Sequence, residues 1–504
     1  MLCLIGAGIF FGNNGNAITK EGRGGYMKIR EIVQTTPNFQ VLSEDEVERI
    51  YFDALGIIES DGARVDSQPA LDLLRDSDAV VTDTNLVRIP TRLVETALRW
   101  HPKKMAICSR NGERAVRLQK DELAFGAGPI HPLAAVDTQY LSEKSAYEAV
   151  YDTARLVDNL ANYDFITGPL LQAPEGGDGW SPEKVVAMME GCKKPLLLGS
   201  RNQKELALLY QMASLVRGGE NEFRLSPLFA HYVQIDTPLT LSGVEAEKLL
   251  FCAEKGIPCV CASHAIAGIT APSTTAGMLV LTLAETMLAS VISYLKKPGM
   301  PLIRGGLTTI PQPCEDLACY SAPELPLSEA ANTDVSKWLG LGMLFPGGIT
   351  NDQQVGQMAG SDCTSSLYYG FLSGADMIYG AGLVDSGRLA SMDSMVMCNE
   401  IIEMIKQIGK GICTDPEYLA LELIESVGPG GEYLTQDHTF QYWQEWFRPR
   451  LIDRKGYESW EAAGKKTLRD RAMEKRRQIL DEHVPEEMDP KLVEELRSLA
   501  ASQG

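Results

Sequence analysis

The chain lacks any CxxC pair and any histidine-rich spacing; its 11 cysteines stand singly and its histidines number 6 among 504 residues. That absence excludes a zinc ribbon and a disulfide framework. The cysteines lie mostly inside apolar runs, as at Cys108, Cys259, Cys261 and Cys413, and read as packed thiols of a reduced, cytosolic protein with no metal site. Positive charge is also short: 47 basic against 67 acidic residues leave a net charge of −20, which argues against nucleic acid or an anionic membrane surface as a partner. The N-terminal apolar run is about eleven residues long, too short to span a bilayer, and no basic residues precede it as they would in a secretory signal. Neither membrane insertion nor secretion is therefore expected. Gly22-Arg23-Gly24-Gly25 can be encoded by a purine-rich run resembling a bacterial ribosome-binding site, a few bases before the codon of Met27. Met27 is accordingly expected to be the natural start, with residues 1–26 a non-native or disordered extension.

What is present is a repeated unit. Pro258–Gly306 opens with a short apolar run, passes through a small-residue loop, runs as a helix from about Thr274 to Leu295, and closes on a second apolar run at Pro301–Arg304. Ser273 and Pro272 are helix-start residues, and Lys296-Lys297-Pro298-Gly299 is a stop. Similar runs recur at Leu123–Gly126, Asp164–Gly168, Pro195–Gly199, Glu222–Leu228, Pro258–Ala262, Pro301–Gly305, Gly342–Phe345 and Asp376–Gly380, separated by amphipathic segments. A doubly wound sheet would share the local pattern. It seldom reaches eight regular units, however, and Phe125-Gly126-Ala127-Gly128-Pro129 lacks the third glycine of a dinucleotide loop. The pattern predicts an α/β fold, a (β/α)8 TIM barrel over 122–412, with functional residues on the loops after the strands. An N-terminal helical layer with a small hairpin is expected at 27–121, and a C-terminal helical extension at 413–504. The extension carries an aromatic cluster at Tyr442, Trp443, Trp446 and Phe447, and a helix from Thr467 dense in Arg and Lys that reads as a solvated surface helix.

Three stretches carry a family resemblance: AGITAPSTTAG with Glu285 further along its helix, SGADMIYGAGLVDSG, and VGPGGEYLTQDHTF followed by WFRPRLIDRKGYESW. They resemble the trimethylamine methyltransferase (MttB) superfamily, in particular its members without pyrrolysine. The resemblance implies a methyltransferase that moves a methyl group from a quaternary amine, such as a betaine, to the Co(I) corrinoid (cobalamin) of a separate corrinoid protein, with no cofactor bound by this chain. It also carries the expectation of a cytoplasmic homo-oligomer. Leu344 to Asp352 reads LFPGGITND, ordinary residues where the family's pyrrolysine would stand. The run that follows, Thr350-Asn351-Asp352-Gln353 with Gly356 and Met358-Ala359-Gly360, replaces a Lys and two polar positions of the family pattern, which bears on the substrate.

On that reading the protein supplies no nucleophile and holds an ammonium that cannot donate hydrogen bonds, a task suited to aromatic faces and a carboxylate. Strand-end candidates are Phe125, Phe229, Tyr232, Phe345 and above all Tyr379, each of which could equally be barrel core. Arg304 is the candidate clamp for a betaine carboxylate, against a structural salt bridge. His231 and His264 could orient that carboxylate or serve as scaffold, Asn351 and Asp352 could line the pocket, and His438 reads as structural or part of a docking surface. The competing readings are a binding protein for trimethylammonium compounds and a corrinoid-linked methyltransferase with another methyl donor.

Overall fold

Residues 259–266 and 302–309 run as parallel neighbours through eight paired positions, joined by a 22-residue helix. The same construction repeats around a closed ring. Its strands are β1 (Ala124–Ala127), β2 (Phe165–Thr167), β3 (Leu196–Leu198), β4 (Phe229–Ile235), β5 (Cys259–Ile266), β6 (Leu302–Thr309), β7 (Gly342–Pro346) and β8 (Met377–Ala381), with β8 paired to β1. The helices between and after them are α1 (Ala146–Asn159), α2 (Pro182–Gly191), α3 (Gln203–Arg217), α4 (Gly243–Lys255), α5 (Thr275–Lys296), α6 (Glu324–Leu339), α7 (Gln357–Ser373) and α8 (Met392–Gly409). The expected (β/α)8 barrel is therefore present. This computed structural model describes residues 39–113, 115–118, 122–130, 145–170, 181–312 and 318–502 of the chain, all within the unit Val33–Gly504. Residues 1–26 and the Met27 start lie outside the described residues.

One strand is displaced from its expected position. The run Glu222–Leu228 does not form β4; Glu220–Leu225 is a short helix and the strand begins at Phe229. Gly218 and Gly219, both at positive φ, end α3, and Glu220 and Glu222 then sit in the first turn of a new helix, where its dipole favours them. At α5 the capping residue is Thr274, whose side chain accepts from Gly277 N at 3.3 Å, rather than Ser273.

The lower end of the barrel, where the strands begin, is closed. Met105–Cys108 and Ala115–Leu118 form the expected antiparallel hairpin, held beneath the strands by Cys108 N–H donating to Pro227 O (2.6 Å) and Arg110 N–H to Lys193 O (2.8 Å). Ile107, Val116 and Leu118 share one apolar cluster with the barrel interior. The N-terminal layer also holds a four-stranded sheet that the sequence reading lacks. Ala63–Val65 pairs with Leu86–Arg88 and with Thr240–Leu241 from the loop after β4, in strands of two or three residues that leave almost no periodic signal.

Among the described residues α5 is the one helix long and apolar enough to cross a membrane, and 83% of its apolar window is buried in this fold. Helix Leu468–Glu482 is not a purely solvated surface: it packs Ala472, Ile479 and Leu480 inward and buries an Arg476–Asp393 ion pair at 3.1 Å. Cys413, expected to be packed, is exposed because the chain leaves the barrel just before it.

Candidate functional site

Strand side chains alternate between the barrel axis and the helix layer. The inward set includes Ala124, Phe165, Leu197, Ala230, Tyr232, Val260, Ala262, Ile303, Leu344, Met377 and Tyr379, which form one cluster. Gly126 leaves the space that the Phe165 ring fills, since a Cβ there would lie 2.1 Å from it. This alternation corrects five of the sequence expectations. Phe125, Phe229 and Phe345 belong to the cluster between strands and helices: Lys406 of α8 lies over the Phe125 ring, Phe223 packs on Phe229, and Phe345 sits against Gly370 of α7. His231 also points outward, with Nε2 at 3.3 Å from Ser200 Oγ. Arg304 faces α5 and α6 and donates to Thr282 Oγ1 (3.0 Å), Asn332 Oδ1 (2.7 Å) and Asn332 O (3.2 Å), so it is not at the barrel mouth.

The residues that do meet at the upper end are Tyr232, His264 and Tyr379. Tyr232 Oη lies 2.8 Å from His264 Nε2, and the Tyr379 phenol stands close enough to interact with the Tyr232 hydroxyl. Burial pushes the His264 imidazole down to about 4, so at neutral pH it is uncharged and able to accept. Burial also raises both phenols, with Tyr320 and Glu329 close enough to add to the effect. Tyr320, on the loop after β6, is pushed up to about 12 by burial. All three phenols stay neutral and offer rings and hydroxyls. Beside Tyr232 opens a cavity of about 480 Å³ lined by Ser200, Gln234, Asp236, Glu245 and Lys248 among others. Glu245 takes Lys248 Nζ at 2.6 Å and Gln234 N–H at 2.9 Å, leaving Asp236 to give the rim a negative cast.

Behind β6 lies a buried polar seam. Glu329 accepts from Thr308 N–H at 2.6 Å, Glu285 accepts from Leu239 N–H (2.9 Å) and Thr237 Oγ1 (3.0 Å), and the Arg304 guanidinium interacts electrostatically with both carboxylates. Burial lifts Glu329 to about 7, although the Thr308 bond and Arg304 oppose it. In the folded chain Glu329 therefore holds a proton that the unfolded chain has released above about pH 4.5. Stability falls as pH rises through this window, by up to on the order of 3 kcal/mol from this one group. Glu329→Gln is expected to remove the slope, gaining on wild type as pH goes from 5 to 8. Urea titrations giving the same difference at both pH values would contradict it.

Loops above the seam are tied together. Asn351 Oδ1 accepts from Ser321 N–H (2.8 Å), while its Nδ2 donates to Gln312 Oε1 (2.5 Å) and Ser386 Oγ (2.9 Å). Asn351 thus joins the loops after β6, β7 and β8. Asp352 Oδ1 accepts from the next residue's N–H at 2.9 Å, within its own turn. In the AGITAPSTTAG stretch Thr270 Oγ1 donates to His264 O at 2.7 Å and accepts from Ile266 N–H, which fixes the strand end that carries His264. Just below, Gly306 has φ +133°, and a Cβ would fall 2.0 Å from Ser263 O, so only glycine lets β6 approach β5 here. His438 stacks on Tyr442 at 4.5 Å, far along the chain from these loops.

Tyr320, Glu329, Gln234, Asp236 and Glu245 were missed from sequence. The last three follow from the displaced β4. The signal for Glu329 was available: Ser328, Glu329, Asn332, Thr333 and Ser336 put polar groups at helical spacing on the buried face of α6. Among the described residues no group of three or more His, Cys, Asp or Glu side chains is arranged to hold a metal ion.

Comparison with known proteins is consistent along the chain. The family described as Trimethylamine methyltransferase (MTTB) matches residues 12–503. Trimethylamine methyltransferase MttB of Desulfitobacterium hafniense is 28% identical over 463 residues, covering 91% of this chain and 92% of the relative. Glycine betaine methyltransferase of another strain of that species is 26% identical over 474 residues, covering 94% and 98%. The crystal structure of the Methanosarcina barkeri monomethylamine methyltransferase (MtmB) aligns over 90% of this chain and 97% of its own at 11% identity, with a TM-score of 0.45.

Proposed function

The chain belongs to the trimethylamine methyltransferase (MTTB) family, and from that premise we propose that it transfers a methyl group from a quaternary amine to the Co(I) corrinoid of a separate protein. The substrate class rests on Tyr232, which lines the cavity together with Asp236, and on Tyr379 and Tyr320, which are near enough to Tyr232 to interact with it electrostatically. Neutral rings attract a cation that cannot donate hydrogen bonds, and the Asp236 carboxylate at the cavity adds long-range attraction. A quaternary ammonium already carries a neutral amine as leaving group, so this chain need supply neither acid nor metal.

The corrinoid of the partner supplies the nucleophile. The residues of this chain hold the ammonium against the tyrosine faces, turn one methyl outward and keep water from the barrel interior. A betaine carboxylate would be answered by backbone N–H groups at the rim, since Arg304 is turned away and Lys248 is held by Glu245. The same reading has the chain act in the cytoplasm as a homo-oligomer, with the barrel at 122–412, the N-terminal layer at 27–121 and the extension at 413–504.

The test is direct. Reduced corrinoid protein is mixed with this protein and a panel of betaines, choline and trimethylamine, and conversion of the Co(I) spectrum to methyl-Co(III) is followed. One quaternary amine is expected to convert. Conversion by trimethylamine alone would overturn the substrate class. Tight binding of one amine with no conversion would favour a binding protein.

A further inference from the structure

Tyr320 is fixed in its loop from three directions. On one side of it, Cys319 N–H donates to Ile310 O at 3.0 Å and Cys319 O accepts from Thr309 Oγ1 at 2.8 Å, which lays the chain back on the end of β6. On the other side, Ser321 N–H donates to Asn351 Oδ1 (2.8 Å). Ser321 Oγ donates to Asp362 Oδ2 of α7 (2.5 Å), an atom that also accepts from Thr350 Oγ1 (2.6 Å). The third direction is the loop after β8. Asp385, Ser386 and Gly387 all have positive φ, at 53°, 57° and 77°, a run that is costly for residues with a Cβ and persists only where neighbours hold it. Asp385 N–H donates to Asp352 O (2.7 Å), Ser386 N–H to Thr350 O (3.1 Å), and Asn351 Nδ2 to Ser386 Oγ (2.9 Å). The turn brings Gly387 so close to the Tyr320 ring that a Cβ would stand 3.1 Å from Cε2, 3.2 Å from Cζ and 3.3 Å from the hydroxyl oxygen.

We infer that Asn351 and Gly387 are positioning residues for methyl transfer, which act by holding the Tyr320 ring as one wall of the substrate site. The inference rests on the proposed reading of that site as a holder of quaternary ammonium. Tyr320 is close enough to Tyr232 and Tyr379 to act electrostatically on both, and Tyr232 lines the cavity. An aromatic face attracts a cation only when it is presented to it, and a ring set before binding loses no affinity to being ordered. The Asn351 amide is placed for that task. It is 8% exposed, its oxygen bonds the residue after Tyr320, and its nitrogen bonds the residue before Gly387.

The test is calorimetric titration of the full chain with tetramethylammonium, which needs no corrinoid protein. Gly387→Ala, and Asn351→Leu with similar volume but no amide, are each expected to weaken binding about fivefold, the scale of one cation–π contact. Tyr320→Leu loses that contact by itself. In its background either change is expected to weaken binding by less than about twofold, because both act through the ring. Gly256→Ala brings the same kind of backbone strain to the end of α4 (φ +74°), with room for the Cβ, and should bind as wild type does. Losses that add in full to that of Tyr320→Leu would overturn the inference and leave the reading of the site standing. Failure of wild type to bind tetramethylammonium would overturn both. Should the variants not fold, 19F NMR of wild-type chain with 3-fluorotyrosine at position 320 decides. One narrow resonance, present before ligand and moved by tetramethylammonium, supports the inference. A resonance that is broad or doubled before ligand, or that stays in place, overturns it.

Discussion

Arg304→Met is expected to lower the stability of the folded chain by about 3–5 kcal/mol, the usual cost of removing one partner from a buried charged network. Arg304 is 2% exposed, its guanidinium bonded to Thr282 and Asn332 and interacting electrostatically with both Glu285 and Glu329. Burial brings it down to about 10, still charged at neutral pH. Methionine fills much of the volume but removes the buried hydrogen bonds to Thr282 and Asn332 and the positive charge that favours the ionised forms of Glu285 and Glu329. Because the side chain faces the helices, any surviving activity should fall equally with glycine betaine and choline. Urea denaturation and a two-substrate transfer assay measure both halves. Unchanged stability with selective loss of the betaine would return Arg304 to the role of a carboxylate clamp.

Tyr379→Leu is expected to reduce methyl transfer, as kcat/KM, about thirtyfold, the equivalent of a desolvated cation–π contact of about 2 kcal/mol. Leucine keeps the site apolar and near its volume while removing the aromatic face. Tyr379→Phe keeps the face and removes only the hydroxyl that interacts with Tyr232, so a loss within about threefold is expected for a weak polar contact. The rate at which methyl-Co(III) absorbance grows separates them. Equal losses for the two variants would assign the binding to the hydroxyl rather than the ring.

The contrast between Tyr379 and Phe345 marks what sequence could reveal. Strand positions were readable because each apolar run ends in loop residues, and seven of the expected runs overlap a barrel strand. Faces were not. A parallel barrel strand is buried on both sides, so apolar residues fill inward and outward positions alike and the polar alternation that orients an antiparallel strand is missing. Phe125, Phe229 and Phe345 satisfy the same composition rule as Tyr379 and lie on the other side of the sheet. At Glu222–Leu228 the run was apolar enough for a strand, but the glycines before it and the acidic first turn made it a helix. Tyr320 comes from a loop, and only tertiary folding brings it to the other two phenols.

The hairpin Met105–Leu118 has a kinetic consequence. With its apolar residues packed into one end of the barrel, the described residues leave the opposite end as the route by which a molecule held beside Tyr232 enters and leaves. On the proposed function the corrinoid protein stands at that same end during transfer. The amine must then arrive before the protein partner and depart after it, a compulsory order in which the demethylated amine is the last product released.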